Sequence, residues 1–227
     1  MGAKRYYEKS LFIREKLSEK TDTVESRRDL VVGCIKLGDA TIEMGDLQGA
    51  KRYYEKSLAI NEELWEKTGT IESRRDLSLS YERLGDTARA MGDLQGAKRY
   101  YDRKLAIDEE LAEKTGTIES KRDLSISYER LGDTARAQGD LAGAQRYYEK
   151  GLFIREELSE KTGMLQAHRD LAIILLNMGV FYYNNGISSD KVKRMFERVV
   201  EIGKKSGDDY LNELGKEAKD ILDKYFQ

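Results

Sequence analysis

Residues 50–58 read Ala-Lys-Arg-Tyr-Tyr-Glu-Lys-Ser-Leu, and the recurrence of this string decides the fold. It begins first at Ala3, and close copies begin at Ala97 and Ala144, so each copy starts 47 residues after the one before. Segments this similar must fold alike. Self-similarity at such a period is typical of proteins built from stacked helical repeats, so the sequence predicts an all-α solenoid.

Each repeat is predicted to contain two antiparallel helices. Apolar residues fall mostly three or four positions apart, which is the spacing of a helix with one buried stripe, as at Leu94, Ala97, Tyr101, Leu105, Ile107 and Leu111. Asp93 is a good N-cap and Gly116 a good C-terminal stop for this helix. Thr117 then caps the helix that follows, which ends at Gly139. Since the chain has no proline, glycine, polar caps or packing must end its helices.

The whole chain is predicted to be one domain. Its parts are 1–21 (the second helix of an incomplete first repeat), three full repeats at 22–68, 69–115 and 116–162, a degenerate last repeat at 163–206, and a C-terminal capping helix at 207–227. An alternative for the capping helix is exchange with another protomer.

Composition narrows the classes of function. The 40 basic and 42 acidic residues leave a formal charge of -2, which disfavours nucleic acid as a partner. The sequence has no apolar run of membrane-spanning length and no secretory signal, so we expect a cytoplasmic protein without a membrane partner. Cys34 is the sole cysteine, which excludes an intrachain disulfide and a cysteine-based metal cluster. We expect neither a metal nor a cofactor.

One motif makes a family resemblance specific. Tyr81-x-x-Leu84-Gly85, then Gly92-Asp93-Leu94, Ala97 and Tyr100-Tyr101, resembles the tetratricopeptide repeat signature. The motif recurs at Tyr128, Leu131-Gly132, Gly139-Asp140, Ala144 and Tyr147-Tyr148, and in weaker form around Cys34 and around Gly179, where a one-residue insertion precedes Val192 and Phe196. The family's usual repeat has 34 residues, so these longer helices resemble those of kinesin light chain and of bacterial repeat proteins joined to signalling modules. The resemblance implies a right-handed superhelix whose first helices line a concave, ligand-binding face.

The resemblance also selects candidate binding residues. On the first helix of one repeat, Arg75, Leu79, Glu82, Asp86 and Arg89 lie on one side. The candidates at these positions across the repeats are Arg28, Arg75, Arg122, Arg169, Glu82, Glu129, Asp86, Asp133, Arg89 and Arg136. Stacked arginines could hold carboxylates or phosphates, and the acidic line of Asp39, Asp86 and Asp133 could take basic groups. The alternative is that these arginines pair with acids one turn away or in a neighbouring repeat.

Catalytic residues are not expected. His168, the sole histidine, occupies a position where other repeats carry Arg27, Arg74 and Lys121, and we interpret it as a solvated helix residue. Cys34 takes the family's buried aromatic position, and we interpret it as core. The second tyrosine of each Tyr-Tyr pair is predicted to pack between helices rather than to stack on bases.

The leading functional hypothesis is therefore a non-enzymatic scaffold that binds a peptide or partner protein on its concave face. Glu82 and Asp86 stand where family members that grip a chaperone's C-terminal carboxylate carry Lys and Asn, so that function is not expected. One alternative is self-assembly through the N-terminal helix, with Leu11, Ile13 and Leu17 as the contact. Another is the sensor arm of a larger signalling protein.

Overall fold

The computed structural model describes residues 2–187 and 189–226, and these form ten α-helices and no strand. The helices are α1 (Gly2–Thr21), α2 (Val24–Glu43), α3 (Leu47–Thr68), α4 (Ile71–Ala90), α5 (Leu94–Thr115), α6 (Ile118–Ala137), α7 (Leu141–Thr162), α8 (Leu165–Asn184), α9 (Ser189–Ser206) and α10 (Asp209–Tyr225). The predicted all-α class is confirmed. None of the described helices is both long and apolar enough to cross a membrane.

The helices form two compact units. The first contains Met1–Gly116 and Asp133–Asp140, and in it α2 packs on α1 and α3, and α4 packs on α3 and α5. The second contains Thr117–Gly132 and Leu141–Gln227, and in it α8 contacts α7 and α9, while α10 packs on α9 and α8. The single domain expected over residues 1–227 stays a prediction.

Each of the helices α2 to α9 is followed by a glycine in the left-handed conformation. Gly69 has φ +59, and its N–H donates to the carbonyl of Trp65 at 2.9 Å. This conformation is nearly free of steric cost only for glycine. The other glycines with positive φ are Gly45, Gly92, Gly116, Gly139, Gly163, Gly186 and Gly207. Between α1 and α2, Asp22 has positive φ instead.

The first helices begin at threonine caps, with one exception. The hydroxyls of Thr23, Thr70 and Thr117 accept the backbone N–H of the serine three residues later, at 3.1, 3.2 and 3.1 Å respectively. Met164 stands at the corresponding position of α8 and makes no side-chain cap. Its backbone is already extended, with φ -70 and ψ 137, which suits a capping residue.

Replacing Met164 with threonine is therefore expected to raise the free energy of unfolding by about 1 kcal/mol, because one orphan N–H of α8 gains an acceptor. Met164 is half exposed, so the change loses little apolar burial. Thermal unfolding followed by circular dichroism checks this, with Met164→Ala as the uncapped control. A threonine variant no more stable than the alanine variant would contradict the capping account.

The second tyrosine lies in the core in three of the four pairs, as predicted: Tyr54, Tyr101 and Tyr148 are buried, while Tyr7 is only partly buried against Leu11 and its neighbours. Gly38 makes room for one of them, since a Cβ atom there would lie 2.5 Å from Cε1 of Tyr54. Gly85, Gly132 and Gly179 face Tyr101, Tyr148 and Phe196 in the same way. The Leu-Gly pair of the motif is thus a ring-packing site.

The structure corrects one expectation about α1. Leu11 was predicted to form part of an adhesive surface, but it is buried against Leu30, Cys34 and Leu37. Its spacing on the helix turns it towards α2. Ile13 and Leu17 are exposed. Self-assembly through this helix stays a prediction.

Candidate functional site

The predicted binding residues lie along one side of the first helices, which we call the first-helix stripe. On α4 it contains Arg75, Leu79, Glu82, Asp86 and Arg89, and on α2 the same positions hold Arg28, Val32, Ile35, Asp39 and Ile42. The exposed fraction is 42% for Leu79 and 41% for Val32. Two aliphatic side chains at the same repeat position are therefore accessible to a ligand.

Arg28, Arg122 and Arg169 form ion pairs with acids that follow them in the chain. Arg28 lies 2.8 Å from Glu72. The other two are bidentate: Arg122 contacts Asp170 at 2.6 and 3.3 Å, and Arg169 contacts Asp208 at 2.5 and 3.1 Å. The bonded carboxylates raise the pKa of Arg122 and of Arg169, while the bonded guanidinium lowers the pKa of Asp208. These guanidinium groups already have the carboxylates that a ligand was expected to bring.

The stripe glutamates contact cations buried on the following second helices. Lys104 Nζ, on α5, lies 3.4 Å from Glu82, and Arg155 Nη2, on α7, lies 2.6 Å from Glu129. Both cations are almost fully buried. Each glutamate therefore compensates a buried charge in addition to facing the stripe.

The stripe aspartates also have hydrogen-bond partners within the chain. Tyr54 and Tyr101 donate their hydroxyls to Asp39 and Asp86, both at 2.6 Å. Burial, together with the Asp39 carboxylate, raises the pKa of Tyr54.

Arginines of the chain form ion pairs with two of the aspartates in this line. Asp39 also lies 2.5 Å from Arg83 Nη1, and Asp133 lies 3.4 Å from both Arg89 and Arg136. In these cases the aspartates are paired with arginines of the chain itself, and binding of a ligand's basic groups stays a prediction.

Sequence reasoning stressed these charges and missed most of the apolar residues between them. Val32, Ile42, Val180 and Tyr183 all occupy stripe positions and are all exposed. The signal was present, because each lies a whole number of repeats from a stripe residue of α4. Charge pairing and apolar exposure together describe a surface suited to contacts of shape rather than to capture of one ion.

An apolar cavity adjoins the stripe in the second compact unit. It has a volume of about 290 Å³, and Ile118, Leu158, Met164 and Ala167 line it. The Arg122–Asp170 pair also borders it. An aliphatic side chain of a ligand would fit beside this ion pair.

The structure changes the interpretation of one of the two residues considered for catalysis. Cys34 is buried core, as predicted, and burial raises the pKa of its thiol to about 11. His168, expected to be solvated, is half-buried, and its Nδ1 lies 2.6 Å from the hydroxyl oxygen of Ser159. No motif links these two residues, because only packing of α7 against α8 brings them together. Among the described residues, no three His, Cys, Asp or Glu side chains are grouped to hold a metal ion.

Comparisons with known proteins identify the repeat and the fold. Sequence models of the tetratricopeptide repeat match residues 33–64, 79–111 and 125–162. No curated protein matches the chain.

Solved structures of low sequence identity share the architecture. BtubC (BKLC) from P. vanneervenii is 18% identical, with 97% of this chain and 87% of that chain covered and a TM-score of 0.70. A Podosopora anserina putative kinesin light chain with nearly identical TPR-like repeats is 19% identical over 90% of this chain and 93% of that chain, with a TM-score of 0.52. With the repeat motifs, the sequence matches and the helix pairs in agreement, the chain contains tetratricopeptide repeats, in a form with long helices and a 47-residue period.

Proposed function

We propose that the chain is a protein-interaction module whose first-helix stripe binds an extended segment of a partner protein. Tetratricopeptide repeats generally mediate interactions between proteins, and the family is generally non-enzymatic. The observation that carries the proposal is the exposure of Val32 and Leu79 at one repeat position, 47 residues apart. A segment lying across α2 and α4 would bury both side chains.

The pairing of charges indicates what kind of segment fits. Because Arg28 is paired with Glu72 and Asp39 with Arg83, a ligand of one charge sign gains little without breaking an existing pair. Apolar side chains lose no such contact and gain burial. We therefore expect a partner segment with spaced aliphatic side chains, and with polar groups that form hydrogen bonds to the edge of the stripe.

The experiment compares the wild type with a Val32→Asp/Leu79→Asp variant. A partner protein is captured from host lysate and identified, and overlapping synthetic peptides that cover its sequence are tested for binding. The affinity of the peptide that binds is measured by fluorescence anisotropy. We expect the variant to bind about tenfold or more weakly, because a buried anchor is replaced by a charge. The stripe side chains are exposed, so folding should be retained, and circular dichroism verifies it.

The matched control is Phe12→Asp/Met44→Asp. These residues are also exposed and apolar in the same compact unit, at 60% and 55%, but Phe12 lies on α1 and Met44 follows the end of α2, so both are outside the stripe. Equal affinity for all three proteins would refute the stripe as the binding site. An Arg28→Ala variant in the same unit tests the charged part separately: because Arg28 is already paired with Glu72, little change in affinity or in its salt dependence is expected.

A further inference from the structure

In three repeats, a cation on the first helix pairs with a glutamate on the second helix. The pairs are Arg27–Glu63, Arg74–Glu110 at 2.7 Å and Lys121–Glu157 at 2.6 Å. They occupy equivalent positions, 47 residues apart. We call this arrangement the helix clasp.

The last repeat reverses one charge of the clasp. His168 takes the position of the cation on α8. On α9, Phe196 faces Gly179 as Tyr54 faces Gly38, which fixes the alignment of α9 with α3. The same number of residues separates Tyr54 from Phe196 and Glu63 from Lys205. Lysine therefore stands where the other repeats have the clasp glutamate.

A cavity of about 300 Å³ lies at this altered clasp. Ser159, Glu160, His168, Leu171, Arg198, Glu201, Ile202, Lys205 and Ser206 line it, and none of them belongs to the first-helix stripe. His168 Nδ1 is engaged by Ser159, and the other ring nitrogen, Nε2, takes no part in that bond. The cavity therefore offers one ring nitrogen and two cationic side chains.

The two cations, Arg198 and Lys205, form ion pairs that a ligand carboxylate could replace. Lys205 lies 2.5 Å from Glu201 one turn earlier on α9, and both side chains are largely exposed. Arg198 pairs with Glu156, and it is also partly exposed. Exposed pairs of this kind contribute little to stability, so an incoming carboxylate can compete for Lys205.

We propose that this cavity binds a glutamate or aspartate side chain of a partner protein, whose carboxylate takes the place of the missing clasp glutamate. The chain itself shows what fits, because the equivalent position in three repeats holds a glutamate carboxylate. Leu171 and Ile202 provide apolar contact for the methylene groups or for a neighbouring aliphatic residue. Glu160 and Glu201 disfavour a more highly charged ligand such as phosphate.

The sole histidine of the chain gives this proposal a specific readout, since its ring protons report directly from the cavity. The probe is the peptide acetyl-Leu-Glu-Leu-amide, titrated while the His168 resonances are recorded by NMR. We expect saturable shifts with a millimolar dissociation constant. The matching peptide with glutamine, and inorganic phosphate, serve as the comparison ligands, and neither should give saturable shifts in that range.

Two variants locate the effect. Lys205→Glu restores the acid of the other repeats and should weaken the glutamate peptide about tenfold or more, because a charged hydrogen-bond partner is lost. Lys204→Glu makes the same charge change next to it, on a residue that does not line this cavity, and should bind within about twofold of the wild type. Four outcomes would each overturn the proposal. The first two are chemical shifts that rise linearly without saturating, and equal affinity for the glutamate and glutamine peptides. The others are tighter binding of phosphate than of the glutamate peptide, and an equal loss of affinity in the two lysine variants. The outcome is independent of the first-helix stripe, whose residues are unchanged in both variants.

Discussion

Replacing Lys104 with methionine is expected to lower the free energy of unfolding by about 3–5 kcal/mol, the largest effect of any single change considered for this chain. Lys104 and Asp108 are each only 1% exposed, and their charged atoms lie 2.7 Å apart. Ser78 donates to the other oxygen of Asp108 at 2.5 Å. Methionine fills similar space but leaves the Asp108 carboxylate buried without its cation, and this desolvated charge is the cost.

Urea denaturation followed by far-UV circular dichroism measures the loss. Lys98→Met on the same helix is the control, because Lys98 pairs with Asp102 at the same i,i+4 spacing but in an exposed position. That change should cost less than about 1 kcal/mol. Similar losses of unfolding free energy in both variants would show that burial does not increase the contribution of the Lys104–Asp108 pair.

A double variant separates the missing charge from altered packing. Lys104→Ser/Asp108→Asn installs the residues that occupy the same positions one repeat earlier, Ser57 and Asn61, which are buried without charge. It should be more stable than Lys104→Met alone, since no ion is left in the core. A double variant as unstable as the single one would mean that packing around Lys104, not its charge, sets the loss.

Replacing Gly38 with alanine is expected to destabilise the chain by about 1–3 kcal/mol, even though alanine is the better helix former. The new Cβ would lie 2.5 Å from Cε1 and 2.8 Å from Cζ of Tyr54. The ring cannot move freely, because its hydroxyl is bonded to Asp39 at 2.6 Å. Thermal unfolding of the variant measures the effect.

A double-mutant cycle with Tyr54→Leu tests the cause. Once the ring is gone, Gly38→Ala should cost much less or should stabilise, because only the helix propensity remains. Additive losses from the two substitutions would show that the ring contact is not responsible.

The local structure of this chain follows largely from its sequence. Asp93 and Gly116 delimit α5 as the capping pattern predicts, and the buried second tyrosines follow from apolar spacing and the family motif. These features depend on residues close together in the chain, so a single segment contains the information for them.

The sequence by itself determined the helix pairs, their ends and the type of repeat, because short-range spacing and a 47-residue recurrence are written in the chain. Only the tertiary structure decided which charges are available. Arg122 meets Asp170, and Lys104 meets both Asp108 and Glu82. The sequence left open whether the stripe charges bind a ligand or pair within the chain, and these residues form internal ion pairs because separate helices bring the opposite charges together.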